Sequence, residues 1–217
     1  MNCKPDPDRV AQCALLAMLF ELSSSPKPGN VDRCHDFSDI GFHHFLTSAV
    51  SAYPVFHRAA ESAAGPGALI LEGVTAWQSW GLSSNTHFGS LVLMIPLAIA
   101  AGRRGELQEE LKRVLDRSST EDALAFYRAF SRARARVVDV ESYSLSDGNW
   151  EQKLQESGKS LMDLMKLSSD HDLIAREYST YYQRCFALSD RMAQKIEEKG
   201  LNEGVVRSYL EALAEVP

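Results

Sequence analysis

Apolar residues recur along nearly the whole chain at helical spacing, and nowhere with the strict alternation of a half-buried strand. Asp6 followed by Pro7 opens a helix, because aspartate caps a helix and proline suits its first turn. Val10 to Leu22 is almost continuously apolar. This predicts a helix buried on most of its faces and stopped at Ser23-Ser24-Ser25-Pro26. Pro26 to Asp39 is irregular. Helical period returns from Asp39 through Phe42, Phe45, Leu46, Ala49, Tyr53, Phe56, Ala60 and Ala63. A kink is expected at Pro54 and an end at Gly65-Pro66-Gly67. A short helix spans Leu69 to Trp77. Asn85 or Thr86 then caps an apolar helix that runs to about Gly102.

The second half reads as more typical amphipathic helices. Gly105 to Arg117 is one, and the capping box Ser119-Thr120-Glu121-Asp122 opens the next. Trp150 to Gly158 and Leu161 to Leu167 are short helices. Asp170 to Lys199 reads as one long helix with Ile174, Tyr178, Tyr181, Cys185, Leu188, Met192 and Ile196 on one stripe, and Glu203 to Ala214 as the last. The fold class is all-α: a single-domain multi-helix bundle with a central buried helix, spanning residues 1–217. Within it, a motif-bearing core over 1–102 is expected beside a charged helical shell over 103–217.

Composition narrows the function. The chain has 217 residues, 45% hydrophobic and 24% charged, which excludes wholesale disorder and a multi-span membrane protein. Its net charge of 23 − 29 = −6 argues against a broad grip on nucleic acid. The longest apolar run, Leu91 to Ala101, is too short to cross a bilayer. No signal-peptide pattern opens the chain, and Cys3, Cys13, Cys34 and Cys185 form no framework, so a cytoplasmic protein with reduced thiols is expected. Charge is unevenly spread: residues 1–102 carry 8 acids and 5 bases, 13 of the 52 charged residues.

Two segments of this charge-poor half hold candidate chemistry. In Ser25-Pro26-Lys27-Pro28-Gly29-Asn30-Val31-Asp32-Arg33, two prolines stiffen the backbone around a lysine, and Gly29 permits close approach. Lys27 suits phosphate as a point charge, and Arg33 as a planar fork. Asp32 could hold Mg²⁺ or orient Arg33. In Asn85-Thr86-His87-Phe88-Gly89, a helix N-terminus offers free N–H groups to an anion, His87 can donate to phosphate or move a proton, and Gly89 again suggests close approach. For each segment the structural alternative is an ordinary loop or cap with solvated side chains. His35, Asp36, Asp39, His43 and His44 form a polar cluster without zinc-site spacing, although Asp36 and Asp39 suit Mg²⁺. Asp170, Asp172, Arg176 and Glu177 read as helix-opening charges, and Arg132, Arg134 and Arg136 as a solvated face. Gly-x-Gly-x-x-Gly, Walker A and Gly-x-Ser-x-Gly patterns are absent.

Glu21-Leu22, the Pro-Lys-Pro-Gly-Asn-Val-Asp-Arg octapeptide from Pro26, Asp39, Phe45-Leu46-Thr47-Ser48-Ala49 and Asn85-Thr86-His87-Phe88-Gly89 occur in order. Together they resemble the triphosphoribosyl-dephospho-CoA synthase family, in a divergent archaeal or methylotroph-like form. The resemblance covers about residues 14–102. It implies an all-helical transferase that moves the triphosphoribosyl unit of ATP to the 2′-hydroxyl of 3′-dephospho-CoA and releases adenine. Carried over, Lys27 and Arg33 would hold phosphate, with Gly29 and Gly89 lining the site. Asp32 and Asp39 would serve Mg²⁺ or act as base. Asn85, Thr86 and His87 would meet phosphate or ribose, and Glu21 would be a base or orienting group. The implied partners are small nucleotides, with a homodimer as the assembly to test. Three departures stand out: Asn30 replaces leucine, Phe37 replaces the histidine of a His-x-Asp-Met segment, and Phe88 replaces a lysine. They leave open a related ribosyl transfer in methanopterin-type cofactor synthesis, or a non-catalytic nucleotide-binding protein.

Overall fold

Asp6 accepts a hydrogen bond from the Asp8 N–H at 3.2 Å and so starts α1 (Pro7–Ser23) where the Asp-Pro pair predicts it. The structure, a computed structural model, describes residues 5–61, 64–82, 86–134 and 149–215. After α1 come α2 (Phe42–Glu61), α3 (Pro66–Ser79), α4 (Phe88–Ala101), α5 (Leu107–Asp116) and α6 (Thr120–Ala133). They are followed by α7 (Trp150–Ser157), α8 (Leu161–Ser168), α9 (Leu173–Ser179), α10 (Gln183–Lys199) and α11 (Leu201–Glu215). No named strand occurs among the described residues.

α4 is the central buried helix. It packs against α1, α2, α3, α5 and α9, and buries Phe88, Leu91, Val92, Ile95, Ala98, Ile99 and Ala100. Pro96 sits inside it without ending it. Around α4, α1 pairs with α2, α3 with α6, and α10 with α11. One hydrophobic cluster runs from Ala11 on α1 to Tyr178 on α9 and Tyr182 beyond it, so both halves of the chain supply core. The box at Ser119 and Asp122 forms as read, and Asp122 also accepts from the Gly67 N–H at 2.9 Å, tying α6 to α3.

Four expectations change. First, α1 buries only Ala11, Met18 and Leu22, and Leu16 and Phe20 are exposed, because its main neighbour, α2, covers one side. Second, α2 begins at Phe42 rather than Asp39: the Asp36 carboxylate accepts from the Phe42 N–H at 2.6 Å and His44 Nδ1 from the Gly41 N–H at 3.0 Å. Those bonds give the polar cluster a structural task. Third, the cap position of α4 is His87, not Asn85 or Thr86, and the histidine side chain makes no cap bond. Fourth, the long helix from Asp170 is broken into α9 and α10. Tyr181 and Tyr182 are left-handed at φ 53° and 61°, and Glu177 takes up the freed donors. Its carbonyl accepts from the Tyr182 N–H at 2.7 Å and its buried carboxylate from the Cys185 N–H at 3.1 Å. The chain then turns away, and α10 buries none of its residues. Ala63, Arg136 and the loop at Ser144 to Gly148 lie outside the described residues.

Candidate active site

The loop after α1 is organised from within by Lys27 and Asp32. The Ser25–Pro26 peptide is cis. Asp32 is buried, and its two carboxylate oxygens accept from the Lys27 N–H at 2.9 Å and the Cys34 N–H at 2.8 Å, with His35 Nδ1 a further 3.1 Å partner. Burial works to raise its pKa, but these bonds outweigh burial and hold the carboxyl well below the usual carboxylate range. Asp32 is therefore a loop-building group. The metal role expected of it finds no open face, since its side chain has no exposed surface. Among the described residues no group of three or more His, Cys, Asp or Glu side chains converges to hold a metal ion.

The Lys27 side chain is also fully buried. Its ammonium donates to the Glu21 carbonyl at 2.6 Å and to the Glu21 carboxylate. Glu21 remains 47% exposed, so the pair presents its negative end outward. Gly29 takes φ +78°, and the Asn30 N–H donates to the Lys27 carbonyl at 3.1 Å. Space around Gly29 is open, so its left-handed turn, rather than close approach, requires glycine. Arg33 and Asp39 are exposed on the outer side of the segment, and Arg33 has no ion-pair partner among the described residues.

The second segment is linked to the first through the charge of Lys27, which acts on His87. The ring is buried, and its Nδ1 shares a short hydrogen bond with the buried Ser48 hydroxyl. Phe45 packs edge-on at 4.9 Å between centroids. Burial pushes the His87 pKa down to about 4, and the charge of Lys27 adds to the shift, so the ring is neutral near pH 7 and lies close to the lysine. His87 Nε2 and the neighbouring Thr86 Oγ1 are both buried and lack a hydrogen-bond partner among the described residues. Asn85 lies outside the described residues. What approaches Gly89 is protein: a Cβ there would lie 2.9 Å from Ile174 Cδ1 on α9. Phe88 is buried and packs edge-on against Phe130 at 5.4 Å, so it anchors the helix in the core.

Two groups of contributors escaped the sequence reading. Ser48 stood inside a quoted motif with no task of its own. Asn202 and Tyr209 on α11 carried no signal at all. Asn202 brackets Ser25, accepting from its N–H at 3.0 Å and donating to its carbonyl at 2.9 Å, and the Tyr209 hydroxyl donates to the Pro28 carbonyl at 2.6 Å. Burial raises the Tyr209 pKa and the Glu21 charge adds to it. The assembled groups are thus a half-exposed carboxylate, a buried cation and a neutral imidazole beside a helix N-terminus. Such a set can bind an anion and move a proton.

The family described as CitG: ATP:dephospho-CoA triphosphoribosyl transferase matches residues 7–217. A relative from Streptococcus equi subsp. zooepidemicus (strain H70) is 29% identical over 154 residues, 64% of this chain and 52% of its own. One from Streptococcus pyogenes serotype M3 (strain ATCC BAA-595 / MGAS315) is 32% identical over 148 residues, 61% of this chain and 50% of its own. Each is named as a candidate 2-(5''-triphosphoribosyl)-3'-dephosphocoenzyme-A synthase. The chain spans about half the length of these curated relatives. A crystal structure of a candidate triphosphoribosyl-dephospho-CoA synthase from Archaeoglobus fulgidus shares the fold, with a TM-score of 0.57 at 21% identity, over 77% of this chain and 81% of that one.

Proposed function

The chain belongs to the ATP:dephospho-CoA triphosphoribosyl transferase family, and from that premise we propose that it transfers the triphosphoribosyl unit of ATP to the 2′-hydroxyl of 3′-dephospho-CoA. In that reaction the bond between the ribose anomeric carbon and adenine breaks. A bond from that carbon to the acceptor oxygen forms, and the hydroxyl proton ends on adenine. The names of the relatives favour this acceptor over a pterin-type one. The observation that carries the reading is the buried His87 at the head of α4, with an unpartnered Nε2 and near enough to Lys27 to feel its charge.

Glu21 is the carboxylate placed to accept the acceptor hydroxyl's proton, because Lys27 pins it from behind while half of it stays exposed. Arg33 is the exposed cation of the loop and suits the triphosphate. Thr86 and His87 offer polar atoms at the helix N-terminus, where phosphate oxygens are favoured. Mg²⁺ fits as the counter-ion that ATP brings with it, a role for which the exposed Asp39 carboxylate is better suited than the enclosed Asp32. Purified protein incubated with ATP, Mg²⁺ and 3′-dephospho-CoA is expected to release adenine over multiple turnovers, read by chromatography. Absence of adenine with ATP bound would leave a nucleotide-binding protein, and absence of both would overturn the proposal.

A further inference from the structure

Ser48 lies on α2, is fully buried, and takes no part in the chemistry above. Among the described residues its hydroxyl has a single partner, His87 Nδ1. A neutral imidazole donates from one nitrogen and accepts at the other, and a serine hydroxyl has one proton to give. Two proton arrangements share this contact. If His87 Nδ1–H donates, the serine proton is buried with no acceptor, and Nε2 is a second orphan, since it too lacks a partner. If Ser48 donates to Nδ1, the serine proton is used and only Nε2–H remains unpaired. Each buried unpaired group costs on the order of 1–3 kcal/mol, so the second arrangement is favoured by one such group.

We propose that Ser48 is a positioning residue that holds His87 in the Nε2–H tautomer, so that His87 serves its ligand as a neutral hydrogen-bond donor and not as a base. The matching ligand group is a phosphate oxygen. Thr86 adds an unpartnered hydroxyl one residue away, and His87 stands at the N-terminal, positive end of the α4 dipole. Lys27 raises the local potential without bonding to Nε2. Burial and this charge keep the ring neutral, so the donor is the imidazole itself. Only the identity of the ligand rests on the nucleotide reading given above; the tautomer does not.

The test is a long-range proton–nitrogen correlation spectrum of the full chain with isotope-labelled histidine, recorded near neutral pH without ligand. The His87 signals are assigned by their loss in His87→Gln. Wild type is expected to show a protonated Nε2 and an unprotonated, hydrogen-bonded Nδ1. Ser48→Ala should average the two tautomers and weaken ATP binding about tenfold by calorimetry, the loss of roughly one hydrogen bond to a charged group. Ser48→Thr, which keeps the hydroxyl, should restore both. A protonated Nδ1 in wild type overturns the inference, and that reading stands even if the alanine variant fails to fold. The expected tautomer in a chain that neither binds ATP nor releases adenine would uphold Ser48's role and sink the proposed function instead.

Discussion

A lysine side chain with no exposed surface must find its partners inside, and Lys27 finds both of them in Glu21. The same buried charge bears on His87 across the site. Replacing it therefore has two separable effects. Lys27→Met keeps the apolar stem and removes the ammonium. It is expected to cost about 1–2 kcal/mol in urea denaturation, modest for a buried cation because Glu21 can turn to water. It should also raise the His87 pKa, since the lysine charge is the second cause holding it down after burial. The titration is read from the ring resonances. A His87 that titrates unchanged in this variant would separate the loop from the helix N-terminus and remove the coupling on which the site rests. Arg33→Ala, by contrast, removes an exposed group and leaves the loop's internal bonds untouched.

The loop is held from outside by a helix that follows it by 177 residues or more in the chain. α11 grips two points, Ser25 through Asn202 and Pro28 through Tyr209, on either side of Lys27. Asn202→Ala leaves the Ser25 N–H and carbonyl without their partner. The expected cost is about 1–3 kcal/mol, with weaker ATP binding, because a loop free to move must be ordered by its ligand. Equal losses in stability with unchanged ATP affinity would confine α11 to a structural task. This clamp was not legible in the sequence, since nothing local to Asn202 or Tyr209 distinguishes them from other polar residues on an amphipathic helix. The Pro-Lys-Pro-Gly segment was legible because proline and glycine restrict the backbone wherever they occur. The break between α9 and α10 was hidden for the opposite reason. The apolar stripe continues through Tyr178 and Cys185, and only the buried Glu177, which replaces the lost helix bonds, marks the turn. Likewise, Ser48 and His87 are 39 residues apart, and their pairing exists only once α2 packs against α4.

At the scale of the molecule, the charge-poor stretch 1–102 buries Lys27 and Asp32 and leaves most of its other charged groups exposed, while the core draws on helices from both ends of the chain. Two enclosed groups, His87 and Asp32, tie the site to the stability of the whole, and they do so over successive ranges of pH. His87 has a folded pKa of about 4 against an ordinary 6.5. Between those values the unfolded chain binds a proton that the folded chain refuses. Stability must therefore rise with pH across that window and fall as acid is added, by on the order of 3 kcal/mol in all. Asp32 runs in the next window down. Its folded pKa is depressed, so its contribution is complete above the ordinary value of 3.8 and is lost as pH falls below it. Urea midpoints measured in steps from about pH 7 to about pH 2 should thus decline in wild type through both windows. His87→Gln, which keeps polarity but cannot take the proton, should flatten the upper window and leave the lower one in place. Taking the difference between the two proteins cancels the surface histidines and carboxylates they share. An identical slope in both would mean that His87 is free to protonate in the folded state, and with that a neutral imidazole at the head of α4 would no longer describe the site.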